Sequence, residues 1–155
     1  MANKNENADN YSEDDVLKSP WMKWGKVGDS IHGTLISVKE RTSINQNTGK
    51  EEDGLVYEMK CDGGEFHDVD EKKNPIEPAI KILAGEIFNI GDHFTINPVM
   101  RNIKLGQKIK IAFTEEKASK KKGNAPMKVR KVYSKGEMDE VWLKEQEDAK
   151  ALSEM

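Results

Sequence analysis

Three histidines and one cysteine are the side chains best suited to bind a metal or exchange protons. His32, His67 and His93 each fall in or beside a predicted strand, and Cys61 lies shortly before His67. A structural zinc site needs four ligands, and no second pair at usable spacing accompanies Cys61 and His67. We therefore expect no metal site, a buried Cys61 thiol and a solvent-facing His67 imidazole.

Motifs that carry catalysis are missing from the sequence. It contains no phosphate-binding loop, dinucleotide-binding, zinc-protease or serine-hydrolase pattern. Acidic pairs such as Glu51-Glu52 and Asp70-Glu71 lie in predicted loops, where paired charges are usually solvated. A hydrolase or nuclease would rest on such carboxylates alone. We predict instead a binding protein that is not an enzyme and needs no cofactor.

Charge is segregated along the 155-residue chain. The formal net charge of −3 divides into −3 over residues 1–18, +5 over residues 19–135 and −5 over residues 136–155. A basic body between acidic ends is typical of proteins with an anionic partner. The same boundaries predict a disordered acidic tail, a folded domain and an acidic, partly helical C-terminal tail.

Basic side chains concentrate near the end of the folded domain, in a predicted hairpin with a flexible loop. Such a loop can follow a phosphate backbone, because each neutralised phosphate releases condensed counterions. The alternative is a solvated loop kept soluble by its charge. The nucleic-acid contacts predicted in this hairpin are Lys120, Lys121, Lys122, Lys128, Arg130 and Lys131. Those predicted on earlier strands and turns are Lys23, Lys26, Lys39, Arg41, Lys60, Lys108 and Lys110.

Aromatic residues are few, and proteins that bind single strands need some exposed rings on which bases stack. Trp24 lies between two lysines and is the best stacking candidate, followed by Tyr57 and Tyr133. A structural role for Trp24 is equally open, because tryptophan usually buries most of its large surface. Phe94 and Phe113 alternate with apolar neighbours, so we expect both in the core.

The acidic C-terminal tail contains apolar residues at helical spacings. They indicate a helix that binds a partner protein or docks on the domain itself. The predicted partner-binding residues are Met138, Val141, Trp142 and Leu143. The alternative is a terminal helix that packs on the domain with Trp142 as its anchor.

Alternating apolar and polar residues, separated by Gly, Pro and Asn turns, define the strands that must position these side chains. Residues 62–64 are predicted to form a tight hairpin turn, and Gly33 indicates a bulge inside the first strand. Six or seven short strands favour a mainly all-β fold, a small antiparallel Greek-key barrel that is OB-like, with a short C-terminal helix. The clearest strands are predicted over residues 29–44, 55–62, 65–70, 108–116 and 127–134.

Several stretches together carry a family resemblance. They are WMKWGKVGDSIHGTLISV, the glycine-rich hairpin, LGQKIKIAF followed by KASKKKGNAP, MKVRKVY and the acidic end. Together they resemble bacteriophage single-stranded DNA-binding proteins. The resemblance implies an OB-fold and an acidic C-terminal tail that recruits replication and recombination proteins. The chain differs from the best-known bacterial family, since it lacks an acidic tip ending in Pro-Phe and has fewer aromatic residues in the barrel.

One cysteine cannot form an internal disulfide, and no apolar run reaches the length of about 18 residues that suggests a membrane span. We expect the cytoplasm, or the host cytoplasm if the gene is viral. The expected function is non-sequence-specific binding of single-stranded DNA in replication or recombination, with RNA as the alternative ligand. The competing hypothesis is a structural or accessory protein, a virion component or an adaptor, that uses the barrel and the C-terminal helix for protein contacts. Homo-oligomers are left open.

Overall fold

The computed structural model describes Ser12 and residues 19–45, 48–118 and 126–154. Most of the predicted N-terminal tail and the loop lysines Lys120, Lys121 and Lys122 lie outside these ranges. The strands are β1 (Ser30–Ile44), β2 (Glu51–Phe66), β3 (Ile80–Ile82), β4 (Ile87–Gly91), β5 (Lys108–Lys117) and β6 (Met127–Tyr133). The helices are α1 (Asn97–Met100) and α2 (Glu140–Ser153). Within the described ranges, no helix has the length and apolar character required to cross a membrane.

All six strands belong to one antiparallel sheet. The strand order is β3-β2-β1-β5-β6, and β4 pairs with a second part of β2. In the described part of the chain no pairing joins β6 to β3 or β4, so the sheet is open and β6 is an edge strand. The mainly β fold with a C-terminal helix is as predicted, whereas the closed Greek-key barrel is not confirmed.

One face of the sheet carries the core. Ile109, Ile111 and Phe113 alternate along β5 and are all buried, which confirms the predicted period of two. Ile31 and Leu35 of β1 are completely buried beside them. Each such side chain contributes about 1.5–3 kcal/mol on burial, so these two central strands hold the rest of the sheet in place.

A β-bulge lies at the predicted position opposite Gly33, but its extra residue is on β2 rather than on β1. The pairing of β1 with β2 shifts between His32 and Gly33, and Asp62 of β2 is the extra residue. Glycine is required here because the two backbones nearly touch: a Cβ on Gly33 would lie 2.2 Å from the carbonyl oxygen of Lys60. The bulge therefore fixes the register of the strands on either side of it.

The predicted hairpin turn at residues 62–64 is wrong. Strand β2 continues without a turn to Phe66, and its end pairs with both β1 and β3. Gly64 has a φ of 140°, and a Cβ there would lie 2.4 Å from the carbonyl oxygen of Ser30. The glycines thus allow close contact between β1 and β2 where the sequence suggested a reversal of the chain.

Helix α2 is attached to the sheet by its first turn. The Asp139 carboxylate accepts hydrogen bonds from the Trp142 backbone N–H at 3.0 Å and from the Thr34 hydroxyl at 2.6 Å. Gly106 leaves room for the helix, because a Cβ there would meet Leu143 at 2.8 Å and Trp142 at 3.2 Å. No residue of α2 is fully buried, so the remainder of the helix extends away from the domain.

Of the four residues predicted to bind a partner, three contact the domain and one is exposed to solvent. Trp142 and Leu143 are half-buried on the domain itself, and Met138 forms an isolated bridge with Gln107. Trp142 thus anchors the first turn of the helix on the domain, as the alternative expected, and partner binding by these residues stays a prediction. Val141 alone is open to solvent, with 68% of its surface exposed.

Candidate functional site

The predicted nucleic-acid contacts do not share one surface. Alternation along β5 and β6 places Lys108, Lys110 and Tyr133 on the face opposite the core, which we call the outer face. Lys128 and Arg130 lie on the inner face of β6, next to the core residue Phe113. The structure thus divides one predicted basic surface into two.

A groove of about 820 Å³ crosses the outer face. Lys110 of β5 is paired with His32 of β1 on one side and with Tyr133 of β6 on the other, so the three residues form a row. Residues directly opposite in antiparallel strands have Cβ atoms about 4.5–5.5 Å apart, so Lys110 and Tyr133 are neighbours on the same face. Tyr133 is 47% exposed, so the row presents an accessible aromatic ring beside a cation.

The charges that line the groove are mixed, with an excess of lysine. Asp62 and Glu137 are its acidic residues, and Asp62 forms an exposed ion pair with Lys108 at 3.5 Å. Exposed pairs of this kind contribute about 0–1 kcal/mol and separate readily. Lys110 and Lys135 have no ion-pair partner in the described part of the chain, so their charge is available to a ligand.

Two of the three predicted stacking rings are buried. Trp24 is 8% exposed and lies beneath the Arg130 guanidinium, and Tyr57 is 2% exposed and donates a hydrogen bond to Asn97 at 2.9 Å. Burial raises the pKa of the Tyr57 phenol. Neither ring offers a face to a base, which corrects the prediction for both and leaves Tyr133.

Phe94 shows the opposite error. It was expected in the core but is 65% exposed, and it stacks on His93 with ring centres 4.4 Å apart. The alternation that suggested burial belongs to a short turn before α1, where neighbouring side chains do not point to opposite faces of a sheet.

The remaining predicted contacts are spread around the domain. Lys23 pairs with Asp68, Lys26 with Glu77 and Lys39 with Glu58, whereas Arg41 lies over the ring of Trp21. Lys131 is exposed on β6, and Lys60 is opposite Thr34 on the outer face. Of the thirteen predicted binding residues within the described ranges, only Lys108, Lys110 and Tyr133 line the groove.

A buried carboxylate–histidine network was not predicted. Asp29 accepts hydrogen bonds from the backbone N–H groups of Lys26 and His67 and from His67 Nδ1 at 2.7 Å. His67 Nε2 lies 3.2 Å from Glu77, so the imidazole bridges two carboxylates. The solvent-facing His67 is therefore wrong, whereas the buried thiol of Cys61 is confirmed, and burial raises its pKa to about 12.

The His67 network should make stability depend on pH. The hydrogen bond to Asp29 is the main cause of a raised His67 pKa, and Glu77 adds to it. Since the folded protein holds this proton more tightly, the stabilisation is complete below the unfolded pKa of about 6.5 and is lost as pH rises through the folded pKa. Between pH 6 and pH 9, we expect the melting temperature of the wild type to fall more than that of His67→Gln, as measured by circular dichroism. Parallel pH profiles for the two proteins would contradict this role.

Metal chemistry finds no support in the part of the chain that the structure describes, where no three His, Cys, Asp or Glu side chains are placed to hold an ion. No protein-family model, curated protein or solved structure matches the chain.

Proposed function

We propose that this chain binds single-stranded nucleic acid, preferentially DNA, along the outer-face groove. The observation that supports it is the row of His32, Lys110 and Tyr133, in which an exposed ring lies beside an unpaired ammonium group. A base stacked on the ring places its phosphate within reach of the lysine. Ring stacking tolerates any base, and phosphate contacts release counterions, so the binding is non-sequence-specific and depends on salt.

The proposal includes an OB-like fold. An OB-fold is a partly open Greek-key barrel that binds oligonucleotides through one strand face and two loops. The open sheet and the position of α1 between β4 and β5 are compatible with such a barrel. Strand β5 ends seven residues beyond Lys110, roughly 23 Å along the strand, so a nucleic-acid strand running along β6 would pass Lys131 before it reached the β5–β6 loop.

The proposal is tested by fluorescence anisotropy with a labelled oligo-dT at 50 and 200 mM salt. The wild type should bind at low salt and more weakly at high salt. Lys110→Gln should weaken binding and reduce the slope of log affinity against log salt by about 0.7, the contribution of one phosphate contact to a single strand. Lys81→Gln removes the same charge from exposed β3 and should leave both quantities unchanged. No binding by the wild type at low salt would overturn the proposal.

A second candidate function is protein binding through α2. Val141 and Leu152 are 68% and 71% exposed on a helix with no buried residue. In a replication or recombination complex in the cytoplasm, this acidic helix would be the contact for partner proteins. In an accessory or virion protein it would join copies of the chain. Light scattering separates the two: a stable oligomer that does not bind oligo-dT favours the accessory role.

A further inference from the structure

Lys128 and Arg130 form a compact basic pair on the inner face of the edge strand β6. The Lys128 ammonium donates a hydrogen bond to the carbonyl oxygen of Trp24 and lies 5.7 Å from the centre of the Phe113 ring. The Arg130 guanidinium lies 5.4 Å from the centre of the Trp24 ring. Both cations are half-buried against aromatic surface, unlike the exposed Lys131 that follows them in β6.

Neither cation is neutralised within the described part of the chain. No carboxylate lies within 4 Å of either one, and the buried Nε of Arg130 has no hydrogen-bond partner. Burial lowers the pKa of both groups, and the Arg130 charge lowers that of Lys128 further. Glu116, which is opposite Lys128 on β5, and Asp29 partly offset the lowering of the Lys128 pKa, but neither forms an ion pair with it, and Asp29 is already bonded to His67.

Such a pair is costly, since half-buried charges of one sign lose hydration and repel each other. A bound anion would offset this cost, because it would accept hydrogen bonds from the Lys128 ammonium and from the terminal N–H groups of the Arg130 guanidinium and would neutralise their charge. Arginine is well suited to this, since its planar fork can bind two oxygens of one phosphate.

We propose that Lys128 and Arg130 form a phosphate-binding site, which we call the inner-face site. The phosphate is a phosphodiester group of the bound nucleic-acid strand, so this inference rests on the proposed function. The site and the groove occupy opposite faces of β6, whose outer edge is unpaired in the described sheet. A nucleic-acid strand that crosses this edge contacts Tyr133 on one face of β6 and Arg130 on the other.

An exposed aromatic ring lies within electrostatic reach of the inner-face site. Burial, and after it the Arg130 charge, lowers the pKa of His93, which stacks on the exposed ring of Phe94. The inner-face site thus has a cation and an exposed ring, as the groove does, but the residues are Arg130 and Phe94 instead of Lys110 and Tyr133.

The first test uses inorganic pyrophosphate and requires no nucleic acid. Thermal unfolding is followed with and without pyrophosphate, with ionic strength matched by chloride. At ten times its dissociation constant, a ligand of the folded state raises the folding equilibrium constant about tenfold, which raises the melting temperature. We expect this rise for the wild type and for Lys81→Gln, and its loss in Arg130→Gln. Lys128→Gln serves as a second variant if Arg130→Gln does not fold. Equal rises in wild type and variants would overturn the site.

The second test separates the inner-face site from the groove. With oligo-dT, Arg130→Gln should reduce the salt slope by about 0.7, and its combination with Lys110→Gln should reduce the slope by about twice as much. If the wild type binds oligo-dT and Arg130→Gln leaves affinity and slope unchanged, the inner-face site is wrong and the groove proposal survives. If the wild type binds pyrophosphate but no oligonucleotide, the proposed function fails and the nucleic-acid assignment of this site fails with it.

Discussion

Gly33→Ala is expected to lower the free energy of unfolding by about 2–3 kcal/mol. The added methyl group would lie 2.2 Å from the Lys60 carbonyl oxygen and 2.7 Å from the Cys61 Cα. Both are backbone atoms of a paired strand and cannot move aside as a flexible side chain does. Overpacking in a well-packed interior typically costs about 1–3 kcal/mol, and this contact is at the severe end because it acts on the bulge itself.

Urea unfolding followed by circular dichroism measures this effect. Gly91→Ala is the matched control, because it makes the same change in a strand where the nearest atom to a new Cβ is 4.0 Å away. We expect it to alter stability by no more than about 0.5 kcal/mol. Equal urea midpoints for the two variants would show that the strands tolerate separation at Gly33.

Tyr133→Ala is expected to weaken oligo-dT binding by roughly 5- to 150-fold. Stacking of a base on an aromatic ring contributes about 1–3 kcal/mol by alanine substitution, and Tyr133 is the exposed ring of the groove. Tyr133→Phe keeps the ring and should retain most of the affinity. Because the loss is one of stacking, the salt slope of Tyr133→Ala should match that of the wild type.

Anisotropy titrations at one salt concentration give the affinities, and a second concentration gives the slope. Trp21→Ala is the control, since Trp21 is 41% exposed but lies under Arg41, away from the groove residues. It should bind like the wild type, provided that its melting temperature shows a folded protein. Similar losses for Tyr133→Ala and Trp21→Ala would mean that the groove ring has no special role.

Local patterns predicted the elements whose boundaries depend on their own residues. Alternation predicted β1 and β5, Gly33 indicated the bulge that lies opposite it, and helical spacing predicted α2. The turn predicted at residues 62–64 is wrong because glycine occurs both in tight turns and where two backbones come close together. The neighbouring residues do not indicate which of the two applies. The deciding fact is the contact of Gly64 with Ser30, a residue 34 positions earlier in the chain. Closure of the sheet is likewise a long-range property.

In the candidate site, too, local patterns predicted some features correctly, whereas features that depend on distant residues were missed. The period of two placed Lys108 and Lys110 on one face, and this is what the structure has. It could not show that Trp24 is covered, because the residue that lies over it, Arg130, is more than a hundred positions away. Asp29 and Glu77 flank His67 from distant segments, and no local pattern links them. The period of two separates Lys128 and Arg130 from Lys131 along β6, but only their contacts with Phe113 and Trp24 show which face meets the core.

The exposed edge of β6 has a consequence for self-association. An unpaired edge strand offers its backbone groups to any other strand, including the same strand of a second molecule, and such pairing leads to aggregation. Three of the seven residues of β6 are Lys128, Arg130 and Lys131. Two copies of this strand placed side by side would bring like charges together, which costs energy at each close pair. We therefore expect Lys128, Arg130 and Lys131 to disfavour pairing between the β6 edges of two molecules.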